Sequence, residues 1–208
     1  MRIGIVGLGP VGRTLGTLWA GAGHEVAFGS RDPGRAAEAA GTVGGRATTQ
    51  EEAAAFGEVV LWTARGVMPS EPHALAGKVV IDPNNRGPGP DGSYASPRPE
   101  GPSLAERLQA AAPDARVVKG FNTVVMRLLA EAPERVRASG AQVFLAGNDA
   151  RAKQIVATLA RDVGLGAIDL GGLDAAWMAE ALADTFRQGM AASPAGWRQS
   201  VVFADLSN

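Results

Sequence analysis

With 208 residues and a formal charge of −1, the chain has room for one α/β domain and a small annex, and it lacks the basic stripe that nucleic acid or an acidic membrane surface requires. The absence of cysteine excludes disulfides, thiolate nucleophiles and thiolate metal sites, and it fits a reducing compartment, with the cytoplasm as the default. No run approaches the ~20 apolar residues of a membrane span, so neither nucleic acid nor membrane is an expected partner.

The first element is the short apolar run Arg2 to Val6, which stops at a turn with glycines in GxGxxG spacing: Gly7, Leu8, Gly9, Pro10, Val11 and Gly12. Gly7 permits a tight turn off a strand, Gly9 lets a pyrophosphate approach the backbone, and Gly12 lets the following helix lie close to the sheet. Val11, Leu15, Leu18, Trp19 and Ala22 give that helix one apolar face, and free N–H groups at its start suit phosphate. A second strand, Glu25 to Gly29, completes the first half of a dinucleotide-binding unit. Its tip is Gly29-Ser30-Arg31, where an NAD site carries a carboxylate for the ribose 2′-hydroxyl. A hydroxyl and a guanidinium suit a 2′-phosphate instead, so the tip predicts NADP(H), with Arg35 nearby on the same side of the argument. A register shift of two positions would make Asp32 the ribose ligand.

The alternation continues with a helix over Pro33 to Ala40, a short strand near Arg46, and a helix from Thr49, which Glu52 completes as a capping box. Strands follow at Glu58 to Trp62, Lys78 to Asp82 and Arg116 to Val118. The helix before the last of these is capped by Ser103 and Glu106 and stopped by Pro113. Gln142 to Ala146 and Ala167 to Leu170 read as two further strands, joined by a helix from Asp149 whose inner face is Ile155, Val156, Leu159 and Val163. Strands separated by helices predict a doubly wound, Rossmann-type, mostly parallel sheet of about eight strands. Residues 1–170 form the predicted NADP-binding domain and residues 171–208 a small helical annex. In the annex, Trp177, Met178, Ala181, Leu182 and Phe186 make a stripe that reads as core or as the contact of a homodimer. The loop Pro83 to Pro102 holds six prolines and four glycines, and it starts where ligands bind in such sheets, so it is either a cover for the nicotinamide end or a surface loop without a role.

Residues leaving the fourth to sixth strands converge on one crevice: Thr63, Ala64 and Arg65, then Asp82 to Asn85, then Phe121, Asn122 and Thr123. Thr63, Ala64, Asn122 and Thr123 are small or polar enough to hold a nicotinamide carboxamide and seat a flat acceptor, while Arg65 either steers an anionic substrate or is simply solvated. Proton donors are scarce. His24 sits in a turn far from the crevice, His73 stands alone on a short helix, and Tyr94 is followed four residues later by Arg98 rather than the lysine of short-chain dehydrogenases. Lys119 could assist or form a salt bridge. Hydride transfer between two bound rings needs mainly alignment, whereas carbonyl reduction needs a proton donor, so the scarcity favours a cofactor-like acceptor. A non-catalytic NADPH sensor is the alternative.

Together, Gly7 to Gly12, Gly29-Ser30-Arg31, Asp82-Pro-Asn-Asn85 and Val117-Val-Lys-Gly-Phe-Asn-Thr123 resemble the NADP oxidoreductases that use the deazaflavin coenzyme F-420 (F420), a family also similar to the NADPH modules of metalloreductases. The likeness covers roughly residues 1 to 172. It implies reversible hydride transfer between nicotinamide C4 and deazaflavin C5 without a covalent intermediate or an essential acid or base. It also implies that Ser30 and Arg31 hold the 2′-phosphate and that Asn122 and Thr123 lie by the nicotinamide. A flavin, a quinone or a metal chelate is the other class of small-molecule redox acceptor.

Overall fold

The computed structural model describes residues 1–87 and 101–204. Its strands are β1 (Arg2–Val6), β2 (Glu25–Gly29), β3 (Arg46–Thr48), β4 (Val59–Trp62), β5 (Val79–Asp82), β6 (Arg116–Lys119), β7 (Gln142–Gly147) and β8 (Gly166–Asp169). They form one sheet in the order β3-β2-β1-β4-β5-β6-β7-β8, parallel from β3 through β6. The helices are α1 (Pro10–Gly21), α2 (Pro33–Gly41), α3 (Gln50–Phe56), α4 (Leu104–Ala111), α5 (Met126–Glu131), α6 (Pro133–Ser139), α7 (Ala150–Asp162) and α8 (Ala176–Ala192). The order places a topological switch between β1 and β4, the position at which open α/β sheets bind ligands.

Burial explains the arrangement. β4 and β5 are buried along their whole length, as expected of strands covered on both faces. Alternate side chains divide between two cores: Ile3, Ile5, Val59, Leu61, Val79 and Ile81 join Leu15, Trp19 and Leu159 on one face, and Val6, Val60, Trp62 and Val80 join Leu75, Leu108 and Leu173 on the other. The capping boxes at Thr49 and Ser103 form as the sequence predicts, and Asp149 caps α7.

The sheet is mostly parallel and eight-stranded, as the sequence predicts. One pair departs from the rest: β7 runs antiparallel to β6, with Val118 opposite Gly147 and Lys119 opposite Ala146. The link between them is two short helices broken at Ala132 and Pro133, not the single long crossover helix that a parallel return uses. The apolar stripe of α8 is also not its inner face. Ala176, Ala179, Glu180 and Ala183 are buried, whereas Met178 is 47% exposed and Leu182 and Phe186 are half-buried. Small side chains let the helix approach the sheet closely, and the one charged residue among them reaches ionic partners beneath it.

Candidate functional site

At the end of β1 the chain turns at Gly7, whose φ of +97° is open to glycine at no steric cost and whose N–H donates to the Gly29 carbonyl at 3.1 Å. Thr63, leaving β4, fastens the same turn: its hydroxyl lies 2.9 Å from both the Val6 and the Gly7 carbonyl oxygens. Gly12 lies so close to the turn that a Cβ there would be 2.1 Å from the Gly7 oxygen. Above Gly9 the space is open, with nothing within 4 Å of a Cβ position. No side chain caps α1, Pro10 occupies its first turn, and no acidic residue stands there. The residues present therefore fit a pyrophosphate: an unobstructed backbone at a helix N-terminus with uncapped N–H groups.

Beside this cradle, the tip of β2 is organised by Ser30, whose Oγ accepts from the Asp32 N–H at 3.1 Å. Asp32 caps α2, with Oδ1 accepting from the Gly34 and Arg35 N–H groups at 2.9 and 3.3 Å, so its carboxylate serves the helix. Arg31 is exposed beside it. Arg35 reaches from α2 to the glycine turn, donating from Nη2 to the Leu8 carbonyl at 2.7 Å. The same carbonyl is within 3.4 Å of Arg13 Nε, while the Nη atoms of Arg13 grip Glu38 in two bonds of 2.9 Å. Hydrogen bonding to Arg13 holds the Glu38 carboxyl below its ordinary range. Sequence reasoning passed over Arg13; its place directly after the last glycine, in the first turn of α1, was the available signal.

The exits of β4, β5 and β6 are stitched together by amides. Asn84 Nδ2 donates to the Trp62 carbonyl at 2.8 Å and to Asp82 Oδ1 at 2.6 Å. Asn85 Nδ2 donates to the Asn122 carbonyl at 2.7 Å, and Asn122 Nδ2 donates to Asn85 Oδ1 at 2.9 Å and to the Ala179 carbonyl of α8 at 2.7 Å. Asn122 Oδ1 is buried and finds no partner among the described residues. Ala64 is half-buried on the same side, with Arg65 and Val67 exposed beyond it. Thr123 goes elsewhere: it lines a cavity with Val124, Leu128, Val136, Gln142 and Val201. Asn122 and Thr123, adjacent in sequence, thus occupy different surroundings.

Lys119 is fully buried, with Nζ 3.0 Å from Asp82 Oδ2 and 2.9 Å from Glu180 Oε1, and bonded also to the Asn84 carbonyl. Of its two sequence readings, the salt bridge is the one observed. His24 pairs with Asp162 at 2.9 Å, away from the crevice, and exposed His73 pairs with Glu71 at 3.5 Å. Tyr94, Arg98 and most of the Pro83 to Pro102 loop lie outside the described residues. Among the described residues there is no group of acidic or histidine side chains able to hold a metal ion, and no helix is long and apolar enough to cross a membrane.

The family described as NADP oxidoreductase coenzyme F420-dependent matches residues 2–86, the segment holding the cradle, the tip and the exits of β4 and β5. Metalloreductase STEAP3 of Rattus norvegicus is 31% identical over 185 residues, covering 87% of this chain and 36% of its own length; the chain spans about a third of the curated relatives it matches. The crystal structure of a candidate F420-dependent NADP-reductase from Arthrobacter sp. FB24 has a TM-score of 0.83 at 29% identity, covering 99% of this chain and 100% of its own. An imine reductase from Aspergillus terreus, solved with NADPH4, shares the fold at a TM-score of 0.59 and 18% identity, covering 91% of this chain and 61% of its own. Residues 2–86 are thus similar to the NADP oxidoreductases described as coenzyme F420-dependent, and the chain over nearly its whole length has the fold of the Arthrobacter structure.

Proposed function

We propose that the chain is an NADPH-dependent oxidoreductase that transfers a hydride between NADP(H) and coenzyme F420 or a similarly flat redox acceptor. The observation that carries this reading is the open backbone at Gly9 beside a tip in which Ser30 is ordered and Arg31 is free to meet a phosphate. Bound NADPH supplies the hydride from its nicotinamide ring. The chain's own residues bind and orient: the turn from Gly7 to Gly12 receives the pyrophosphate, and Ser30, Arg31 and Arg35 receive the 2′-phosphate end. Thr63 keeps the turn closed from beneath. Ala64 and Asn122 border the nicotinamide side.

The acceptor class follows from what the exits offer. Lys119, Asp82 and Glu180 are buried and bonded to one another, and the histidines lie elsewhere, so the described crevice presents amides and carbonyls rather than a proton donor. Hydride transfer to a conjugated ring needs alignment and exclusion of water above all. The sequence likeness to F420-dependent enzymes names the leading acceptor, the metalloreductase relatives put a metal chelate behind it, and a flavin or a quinone is the remaining alternative.

The test mixes purified protein and NADPH with F420, a flavin, a quinone and a ferric chelate in turn, following nicotinamide absorbance. Turnover is expected with F420. Saturable NADPH binding without oxidation by any acceptor would overturn the enzyme reading in favour of a sensor. Arg31→Ala should weaken NADPH binding roughly ten- to hundredfold, the loss of one charge-assisted contact, and leave NADH binding nearly unchanged. Equal loss for both nucleotides refutes the 2′-phosphate role.

A further inference from the structure

Glu180 stands on the buried face of α8 at 1% exposure, a position where a carboxylate is costly unless it is paired. It is paired three ways. Oε1 accepts from Lys119 Nζ at 2.9 Å and from the Leu104 N–H at 3.2 Å, and Oε2 accepts from Arg86 Nε at 3.0 Å. Lys119 in turn holds Asp82, so two cations and two anions close on one another at the carboxyl ends of β5 and β6. A buried ionic cluster of this kind contributes little net stability compared with apolar packing of the same volume, and its best-attested use is to fix one arrangement among several. Here the arrangement fixed is the position of α8 against the two strand exits. The preceding residue completes it, because the Ala179 carbonyl accepts from Asn122 Nδ2, and Asn122 is already cross-bonded to Asn85.

From this we infer that Glu180 is a positioning residue for the nicotinamide half of the cofactor site. It acts through Lys119 and Arg86 and makes no contact with the cradle or the tip of β2. Helix α8 is then a wall of the site. The adenosine half, built from β1, α1 and the tip of β2, is independent of it. The inference rests on the NADPH reading proposed above, and the two fail in different ways.

The experiment titrates the full chain, wild type and Glu180→Gln, with two ligands: NADPH, and adenosine 2′,5′-bisphosphate, which carries the 2′-phosphate end but no nicotinamide. The variant should bind the bisphosphate within twofold of wild type and NADPH roughly tenfold more weakly. Equal losses for both ligands, or no loss for either, overturn the inference. Should Glu180→Gln fail to fold, the double variant Lys119→Met with Glu180→Met replaces the central ion pair by apolar groups while Asp82 keeps its two bonds from Asn84, and the same selective loss of NADPH is required of it. Wild-type protein that binds neither ligand refutes the NADPH reading itself, and the positioning role falls with it.

Discussion

Gly9→Ala separates binding from folding more cleanly than any other substitution in the cradle. The added methyl meets nothing within 4 Å, and the backbone at φ −75° and ψ −175° is one that alanine adopts without strain. Two small effects on stability oppose each other. Alanine restricts the unfolded chain, a gain of about 0.4–1 kcal/mol, but it is a poorer N-cap residue than glycine, a loss of similar size. The net change should stay within about 1 kcal/mol of zero, which for a chain of this length keeps Tm within roughly 4 °C of wild type. On the proposed reading binding is another matter, because the methyl would stand where the pyrophosphate approaches the N–H groups of α1. Losing one charge-assisted hydrogen bond there removes about 1.5–3 kcal/mol, a fall in NADPH affinity of roughly ten- to hundredfold. Calorimetric titration with NADPH and a thermal melt of the same sample check both halves. Wild-type affinity in a normally folded variant refutes the placement of the pyrophosphate over Gly9.

Gly12→Ala should do the reverse, since its methyl would meet the Gly7 carbonyl oxygen at 2.1 Å and Ile5 Cγ2 at 3.0 Å, forcing α1 off β1. A loss of about 1–3 kcal/mol is expected in denaturant melts, and an unchanged midpoint would contradict the close packing. The pH dependence of stability should carry a trace of Asp169. Burial opposes its charge, but the Lys153 ammonium at 2.7 Å and the Gly171 N–H at 2.8 Å outweigh it and hold the carboxyl below its ordinary range. A folded pKa below the unfolded one contributes stability above about pH 4, and that contribution is lost as pH falls through the folded value. Asp169→Asn should therefore flatten the acid limb of Tm against pH, and a parallel downward shift of the whole curve would show that the carboxylate's titration is not the cause.

The glycine turn and the tip of β2 were legible because most of what shapes them is local. A glycine spacing, a serine and an arginine at a strand end, and helix caps within three residues of their targets leave their mark within 35 residues of sequence. What the sequence did not disclose depends on residues far apart. Thr63 reads as a ligand for the nicotinamide, yet its hydroxyl is turned onto the Val6 and Gly7 carbonyls from a strand more than fifty residues away. Arg13 shows its role only beside Glu38, and Lys119 only beside Glu180. The stripe from Trp177 to Phe186 follows helical periodicity faithfully, but periodicity says which residues share a face and not which face meets the sheet. That choice was made by three alanines and a glutamate with an ammonium to reach.

Phe121 shows how the exits of β5 and β6 are assembled. Its φ of +63° is the only left-handed backbone among the described non-glycine residues, an arrangement that costs a bulky side chain about 1–2 kcal/mol. The strain is held in place because the ring is buried edge-on against Trp19, with centroids 5.6 Å apart, and because Gly120 donates its N–H to the Asp82 carbonyl. Its purpose lies in the neighbours. In a strand that ran on unbroken, Lys119 and Asn122, three residues apart, would point to opposite faces. The reversal at Phe121 lets both reach α8, Lys119 at Glu180 and Asn122 at the Ala179 carbonyl, and it sends Thr123 away toward β7. A locally unfavourable residue is thus what allows one helix to grip two successive parts of the β6 exit, which is why that exit depends on residues separated by some sixty positions.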